Sequence, residues 1–246
     1  MIGAELRTPR FRDALSHLSS AQKPDAGVPA YTRWVNRGLG RVVAALAAAV
    51  GLGANAVTLI SAVVSVAGLV VIVAAPREIW AGVVAGPLLA LGYVLDSADG
   101  QVSRLTRTSS PAGEWLDHVV DAMRTPMLHM AVAVALLWHG SGQQFSYIPY
   151  LSLAFAVVVV GQFMSQVLAK QLSARFGVES TSPASGGYGQ SILLLPIDMG
   201  VMCWMFVLWG FPIAFGIVYT VVFVITLIHS GVSMTRKYRK LVKLKP

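Results

Sequence analysis

The sequence predicts an all-α polytopic membrane protein with six transmembrane helices and an N-terminal amphipathic helix lying in the membrane interface. Three observations carry this. First, 55% of the 246 residues are hydrophobic, 12% are charged, and the mean hydropathy is +0.66, more apolar and less charged than soluble globular domains. Second, apolar stretches fall near residues 55 to 75, 79 to 97, 115 to 138, 147 to 169, 190 to 209 and 211 to 233, each approaching the roughly 20 residues that cross a hydrocarbon core. Third, barrel-type alternation is absent, and backbone groups in lipid must be satisfied within each segment, so the spans are predicted to be helices.

Taken in order, residues 1 to 30 contain Pro9, Pro24, Gly27 and Pro29 among polar residues and are expected to be loosely attached. Their lack of a basic start followed by a short apolar core argues against a signal peptide, so the N-terminus is expected to be retained. In "YTRWVNRGLGRVVAALAAAVG", Arg33, Arg37 and Arg41 recur every four residues while Trp34, Val35, Leu39, Val42 and Leu46 occupy other faces. That pattern suits an interfacial helix, with a solvated helix on a cytosolic face as the alternative; Gly38 and Gly40 weaken either reading. Between spans three and four, "HGSGQQFSY" is uncharged; between spans four and five, "GVESTSPASGGYGQ" is polar and predicted to be flexible.

Orientation follows from the basic residues, since loops rich in Lys and Arg stay cytoplasmic. Of 19 such residues, seven precede residue 42, six lie in the tail "RKYRKLVKLKP", and Arg104, Arg107, Lys170 and Arg175 flank the even-numbered loops; Arg124 lies within a span, and Arg77 alone falls in an outer loop. Both termini are therefore expected to be cytoplasmic. The chain divides into a cytosolic segment with a juxtamembrane helix over 1–50, a six-helix membrane domain over 51–233 and a basic tail over 234–246. The net charge of +8 sits beside the spans without interleaved aromatic platforms, which favours anionic lipid headgroups over nucleic acid. Cys203 stands alone in an apolar span, so neither an intramolecular disulfide nor a thiolate metal site can form.

Charge concentrates where the hydropathy pattern least expects it. Asp96 and Asp99 are three residues apart, and Asp117 and Asp121 four apart, so each pair shares one face of its helix. Four ionised carboxylates at membrane depth would require compensation on the order of 10 kcal/mol. Positive charge is therefore expected among them. Oxygen ligands without Cys or a His pair favour hard cations such as Mg²⁺, Mn²⁺ or Ca²⁺, and two divalent ions would balance the four charges. His118 points about 100° away from Asp117 and is read as a packing residue. Gly100 and Ser103 leave little bulk near the carboxylates, and Arg104 supplies a fork suited to phosphate oxygens.

Asp96, Asp99, Gly100, Ser103, Arg104, Gly113, Asp117 and Asp121 resemble, at every spacing, the signature of the CDP-alcohol phosphotransferases, with Ser103 where the family usually has Ala. "GANAVTLIS" is similar to the family's segment at the start of the first span, keeping Asn55 and Thr58. The resemblance implies transfer of a substituted phosphate from a CDP-linked donor to an alcohol with release of CMP, a homodimer, and two divalent cations, Mg²⁺ or Mn²⁺. It implies that Asp96, Asp99, Asp117 and Asp121 hold the metals. Asp121 is also the expected base, a purely structural ligand role being the alternative. Asn55, Thr58, Asp99, Gly100, Ser103, Arg104 and Gly113 would bind the CDP moiety.

CDP-diacylglycerol is the first expectation for the donor and a small polyol or polyol phosphate for the acceptor. "AKQLSARFGV" is similar, at Lys170 and Gly177, to the branch that takes phosphorylated acceptors, but Leu172, Ala174 and Gln190 stand where that branch has charged residues. Lys170 and Arg175 remain as acceptor-binding candidates. "YTRWVNRGLGR" instead resembles a subgroup that uses soluble CDP-inositol, which keeps a soluble CDP-alcohol donor open. Asp198 could contact the acceptor or pair with a basic neighbour; Arg124 could neutralise the cluster or reach a phosphate. Glu114 reads as a charge at a helix N-terminus. Rival readings are a cation transporter built on the aspartates and an inactive assembly partner.

Overall fold

The computed structural model describes residues 11–20, 27–140, 145–177 and 187–244. These form helices and connecting turns, with no strand among the described residues. Helix α1 spans Phe11–Ser20, and a π-helical turn over Thr32–Asn36 runs directly into α2, Arg37–Ala49. Four long helices follow: α3 (Ala54–Ala74), α4 (Ile79–Thr106), α5 (Pro111–His139) and α6 (Ile148–Arg175). Short α7 (Tyr188–Leu193) and α8 (Met199–Met205) lead to α9, Pro212–Leu241. Helices α3, α4, α5, α6 and α9 are long and apolar enough to cross a membrane, which makes this an all-α polytopic membrane protein.

The stretch predicted as a fifth span, 190 to 209, is not one helix. Pro196 sits in a 3₁₀ turn, Leu195–Ile197, and Asp198 leaves helical geometry at φ −72°, ψ 130° to cap α8, accepting from Gly200 N at 2.9 Å. A second 3₁₀ turn, Phe206–Leu208, ends the series. Proline removes a backbone donor and clashes with the preceding turn, so an apolar run of sufficient length is broken regardless of its hydropathy. Six continuous spans were expected, and five long helices are found among the described residues.

Residues 1 to 30 were expected to be loosely attached; only 11–20 and 27–30 of them lie within the described residues. There, α1 packs against the bundle, with Ala14 and Leu18 buried beside Ala44 and Ala45 of α2, Val57 of α3, and Ala98 and Val102 of α4. The flexible-linker expectation for 177 to 190 and the outer connection near 140 fall largely on residues outside the described set. In α2 and the turn before it, Trp34, Val35, Leu39, Val42 and Leu46 are exposed while Arg33, Arg37 and Arg41 are half-buried. A water-facing helix would show the reverse, so this apolar outer face fits an interfacial position.

Small residues set the closest helix pair. Ser61, Ser65 and Gly68 of α3 are buried, Ser61 Oγ donates to the Gly92 carbonyl of α4 at 2.9 Å, and a Cβ at Gly92 would lie 2.2 Å from Ser65 Oγ. Backbones approach this closely in lipid only where side chains are small. Away from this seam the core is aromatic: Phe155, Phe206, Trp209, Phe215 and Tyr219 are fully buried. His129 stacks on Phe155 at 3.8 Å and pairs its Nδ1 with Tyr219 Oη at 2.8 Å. The rigid α3–α4 pair and the α2 layer together frame one end of α4 and α5, where the carboxylates lie.

Candidate active site

The turn between α4 and α5 decides which side chains meet. Helix α4 stops at Arg107, whose backbone is left-handed at φ 55°. Ser110 then caps α5, its Oγ accepting from Gly113 N at 3.1 Å, and Pro111 occupies the first helical turn with its preset φ. The chain reverses in a few residues, so the face of α4 bearing Asp96 and Asp99 turns toward the face of α5 bearing Asp117 and Asp121.

Three of the four carboxylates converge. One oxygen each from Asp96, Asp99 and Asp117 lies within 4.8 Å of the others. Asp99 is buried at 5% exposure and is held by Thr58 Oγ1, which donates to its Oδ2 at 2.6 Å. An all-oxygen cluster of this kind suits a hard divalent cation.

Asp121 is drawn elsewhere. Arg124, one turn further along α5, bonds Asp121 Oδ1 through Nη2, lies 2.9 Å from Asp96 Oδ1 through the same nitrogen, and donates from Nη1 to Ser61 Oγ at 3.2 Å. The positive charge expected among the aspartates is thus, in part, this guanidinium. Of the two roles open to Arg124 in the sequence, neutralising the cluster is the one seen.

Two cavities meet at the cluster. The larger, about 530 Å³, is lined by Asn55, Thr58, Asp99, Gly100, Ser103, Arg104 and Gly113, together with Asp117 and Lys170. The whole CDP-binding set expected from sequence therefore borders a single space. Among the described residues only Arg104 Nη1 approaches Gly100, at 3.5 Å from where a Cβ would lie, so the helix surface there is open to a ligand. The smaller cavity, about 220 Å³, is lined by Thr32, Asn36, Arg37, Tyr93, Asp96 and Gln101, and it shares Asp99, Gly100, Arg104 and Asp117 with the first while also reaching Asp121.

Other candidates separate. Lys170 is 3.7 Å from Glu114 at the mouth of the larger cavity, and Arg175, exposed at the end of α6, borders neither cavity. Glu114 lies in the first turn of α5. His118 sits edge-on to Phe163 at 6.2 Å, consistent with packing. Asp198, buried at 1% exposure, accepts from Thr32 N and Thr32 Oγ1, both at 2.8 Å, as well as capping α8. Sequence reasoning missed Thr32, Asn36, Tyr93 and Gln101. Their signal is weak, a few polar positions inside apolar or basic helices.

An all-helical membrane bundle whose neighbouring spans aim carboxylates into a polar cavity, beside an open glycine and an arginine, has the build of an enzyme for phosphate-bearing substrates. Residues 52–232 match the CDP-alcohol phosphatidyltransferase family model, and the chain belongs to that family. Its members transfer a phosphatidyl group from a CDP-alcohol. No curated protein matches the chain.

Proposed function

We propose that the protein transfers the phosphatidyl group of CDP-diacylglycerol to a small alcohol, releasing CMP, in a reaction that depends on two divalent cations, Mg²⁺ or Mn²⁺. The observation that carries this is the convergence of the Asp96, Asp99 and Asp117 oxygens within 4.8 Å of one another, with Asp99 and Asp117 lining the larger cavity beside Asn55, Thr58, Gly100, Ser103, Arg104 and Gly113. The donor atoms fit the group: all are carboxylate oxygens, and none is a thiolate or imidazole. Bound divalent cations would supply positive charge for the pyrophosphate and for the CMP oxygen on which charge develops.

The chain's own residues account for the rest. Asn55 and Thr58 line the larger cavity with Gly100, Ser103 and Gly113, where the cytidine would lie against a helix surface free of bulk, and the Arg104 guanidinium would grip the diphosphate. Thr58 fixes the Asp99 carboxylate. Asp121 reaches the smaller cavity with Oδ1 held by Arg124, so Oδ2 is the atom that takes the proton of the attacking hydroxyl. Arg124 keeps Asp121 oriented for that task.

The site would open to the cytoplasm of the cell membrane, with the membrane domain over 51–233 between a cytosolic N-terminal segment and a basic tail. Purified protein incubated with CDP-diacylglycerol, Mg²⁺ and a panel of polyols, polyol phosphates and serine should release CMP with at least one acceptor. Silence across the panel, with release restored by a soluble CDP-alcohol, would move the donor to that class. Silence with both would end the transferase reading.

A further inference from the structure

We infer that the smaller cavity seats the acceptor, and that the acceptor is a small unphosphorylated polyol recognised through its hydroxyl protons. This rests on the transferase reading and names the substrate class of that site. The two cavities share Asp99, Gly100, Arg104 and Asp117, so a phosphorus held over these residues faces both. Displacement at phosphorus places the attacking and leaving oxygens roughly in line. With CMP leaving into the larger cavity, the hydroxyl enters from the smaller.

Size limits the occupant. At about 220 Å³ the cavity is below the roughly 300–1,000 Å³ typical of sites for larger ligands, so it excludes a second nucleotide and admits a small polyol.

Hydrogen-bond polarity selects its chemistry. Asn36 is wholly buried at 0% exposure, its Nδ2 donates to the Tyr93 carbonyl at 3.3 Å, and its Oδ1 is buried with no hydrogen-bonding partner among the described residues. This acceptor requires a donor. A proton count along the adjoining chain gives a second. Thr32 Oγ1 has one proton and gives it to Asp198 Oδ1 at 2.8 Å, the oxygen that also accepts from Gly200 N. The Tyr93 hydroxyl, 2.7 Å from Thr32 Oγ1, must then donate to it, which leaves the Tyr93 oxygen able to accept.

Asn36 Oδ1 and Tyr93 Oη therefore offer lone pairs in the same lining. Of its two guanidiniums, Arg37 and Arg104, the second is shared with the diphosphate side. Hydroxyl groups complement the Asn36 and Tyr93 oxygens, whereas a phosphate monoester would meet them acceptor against acceptor. In the step itself the polyol oxygen bonds to the phosphorus of the phosphatidyl group, its proton passes to Asp121 Oδ2, and the bond from phosphorus to CMP breaks with its electron pair leaving on CMP.

The test uses the full chain in mixed micelles with CDP-diacylglycerol and Mg²⁺, comparing glycerol and inositol with their phosphate monoesters and reading CMP release. A free polyol should exceed its ester in kcat/KM by tenfold or more. Asn36→Leu should raise KM for the polyol about tenfold, the loss of one hydrogen bond, with KM for CDP-diacylglycerol and the affinity for CMP unchanged. Should Asn36→Leu lose CMP binding through misfolding, Ser97→Ala in the same lining should raise the polyol KM about threefold with the donor KM unchanged. Parity or preference for the ester, or an unchanged polyol KM in the folded variants, overturns the inference while leaving the transferase in place. No CMP release from any donor and acceptor overturns both.

Discussion

Thr58 Oγ1 on α3 reaches across the bundle to Asp99 Oδ2 on α4 at 2.6 Å, with both residues buried. This bond fixes the carboxylate that borders both cavities, and it forms only because α3 and α4 approach through Ser61, Ser65 and Gly92. Thr58→Val keeps the shape and removes the bond. A hydrogen bond to a charged group contributes about 1.5–3 kcal/mol, so the Mg²⁺ concentration for half-maximal CMP release should rise roughly tenfold to a hundredfold. An unchanged Mg²⁺ profile would show that Asp99 is held by other means.

Asp121→Asn removes the proposed proton acceptor while retaining an oxygen for Arg124. CMP release should fall by about 10²–10⁴-fold with CMP binding retained. Asp96→Asn, which removes a member of the converging trio, should raise the Mg²⁺ requirement as well. Steady-state kinetics over a Mg²⁺ series separates the two: a rate loss that saturating Mg²⁺ does not restore for the first, and one that it partly restores for the second.

Chelation probes the trio without mutation. EDTA should stop CMP release, and either Mg²⁺ or Mn²⁺ should restore it, whereas Zn²⁺ should restore it poorly because the donors are all hard oxygens. Full activity in excess chelator would remove the metals from the mechanism.

Arg124→Met should be destabilising, since it leaves Asp96 and Asp121 near each other without the guanidinium that contacts both. Removing one partner of a buried ion pair costs about 3–5 kcal/mol, read here as a lower thermal unfolding temperature in detergent with EDTA. Added Mg²⁺ should recover part of the loss by supplying charge beside Asp96. A melting curve that is unchanged in EDTA would show that the guanidinium does not carry this charge.

Gly92→Val should open the α3–α4 seam. A Cβ there meets Ser65 Oγ at 2.2 Å, and overpacking costs typically 1–3 kcal/mol. Activity should fall with stability, because parting the helices also draws Thr58 from Asp99. Ser65→Gly in the same chain should recover part of both; thermal unfolding and CMP release of the double variant check this.

The parts legible in the sequence were those governed by periodicity and by contiguous signature spacing. Hydropathy located the long helices, and the three- and four-residue separations placed Asp96, Asp99, Asp117 and Asp121 on shared faces. The apolar outer face of Trp34, Val35, Leu39, Val42 and Leu46 was equally visible. Hydropathy averages over a window, so it could not register that Pro196 and Asp198 break the stretch 190 to 209. Nor could it show that Asp121 turns toward Arg124, a choice made by charge balance among groups from α4 and α5. The smaller cavity was invisible for a different reason: its wall joins Thr32 and Asn36 to Tyr93 and Gln101 across some sixty residues, a juxtaposition that spacing does not encode.

The clasp of Asp198 on Thr32 spans 166 residues of chain. At about 5–20 residues per second of ribosomal synthesis, roughly ten to thirty seconds separate the emergence of its two ends. The wall that Thr32 gives the smaller cavity is therefore secured late in biogenesis, after α4 and α5 have already brought their aspartates together.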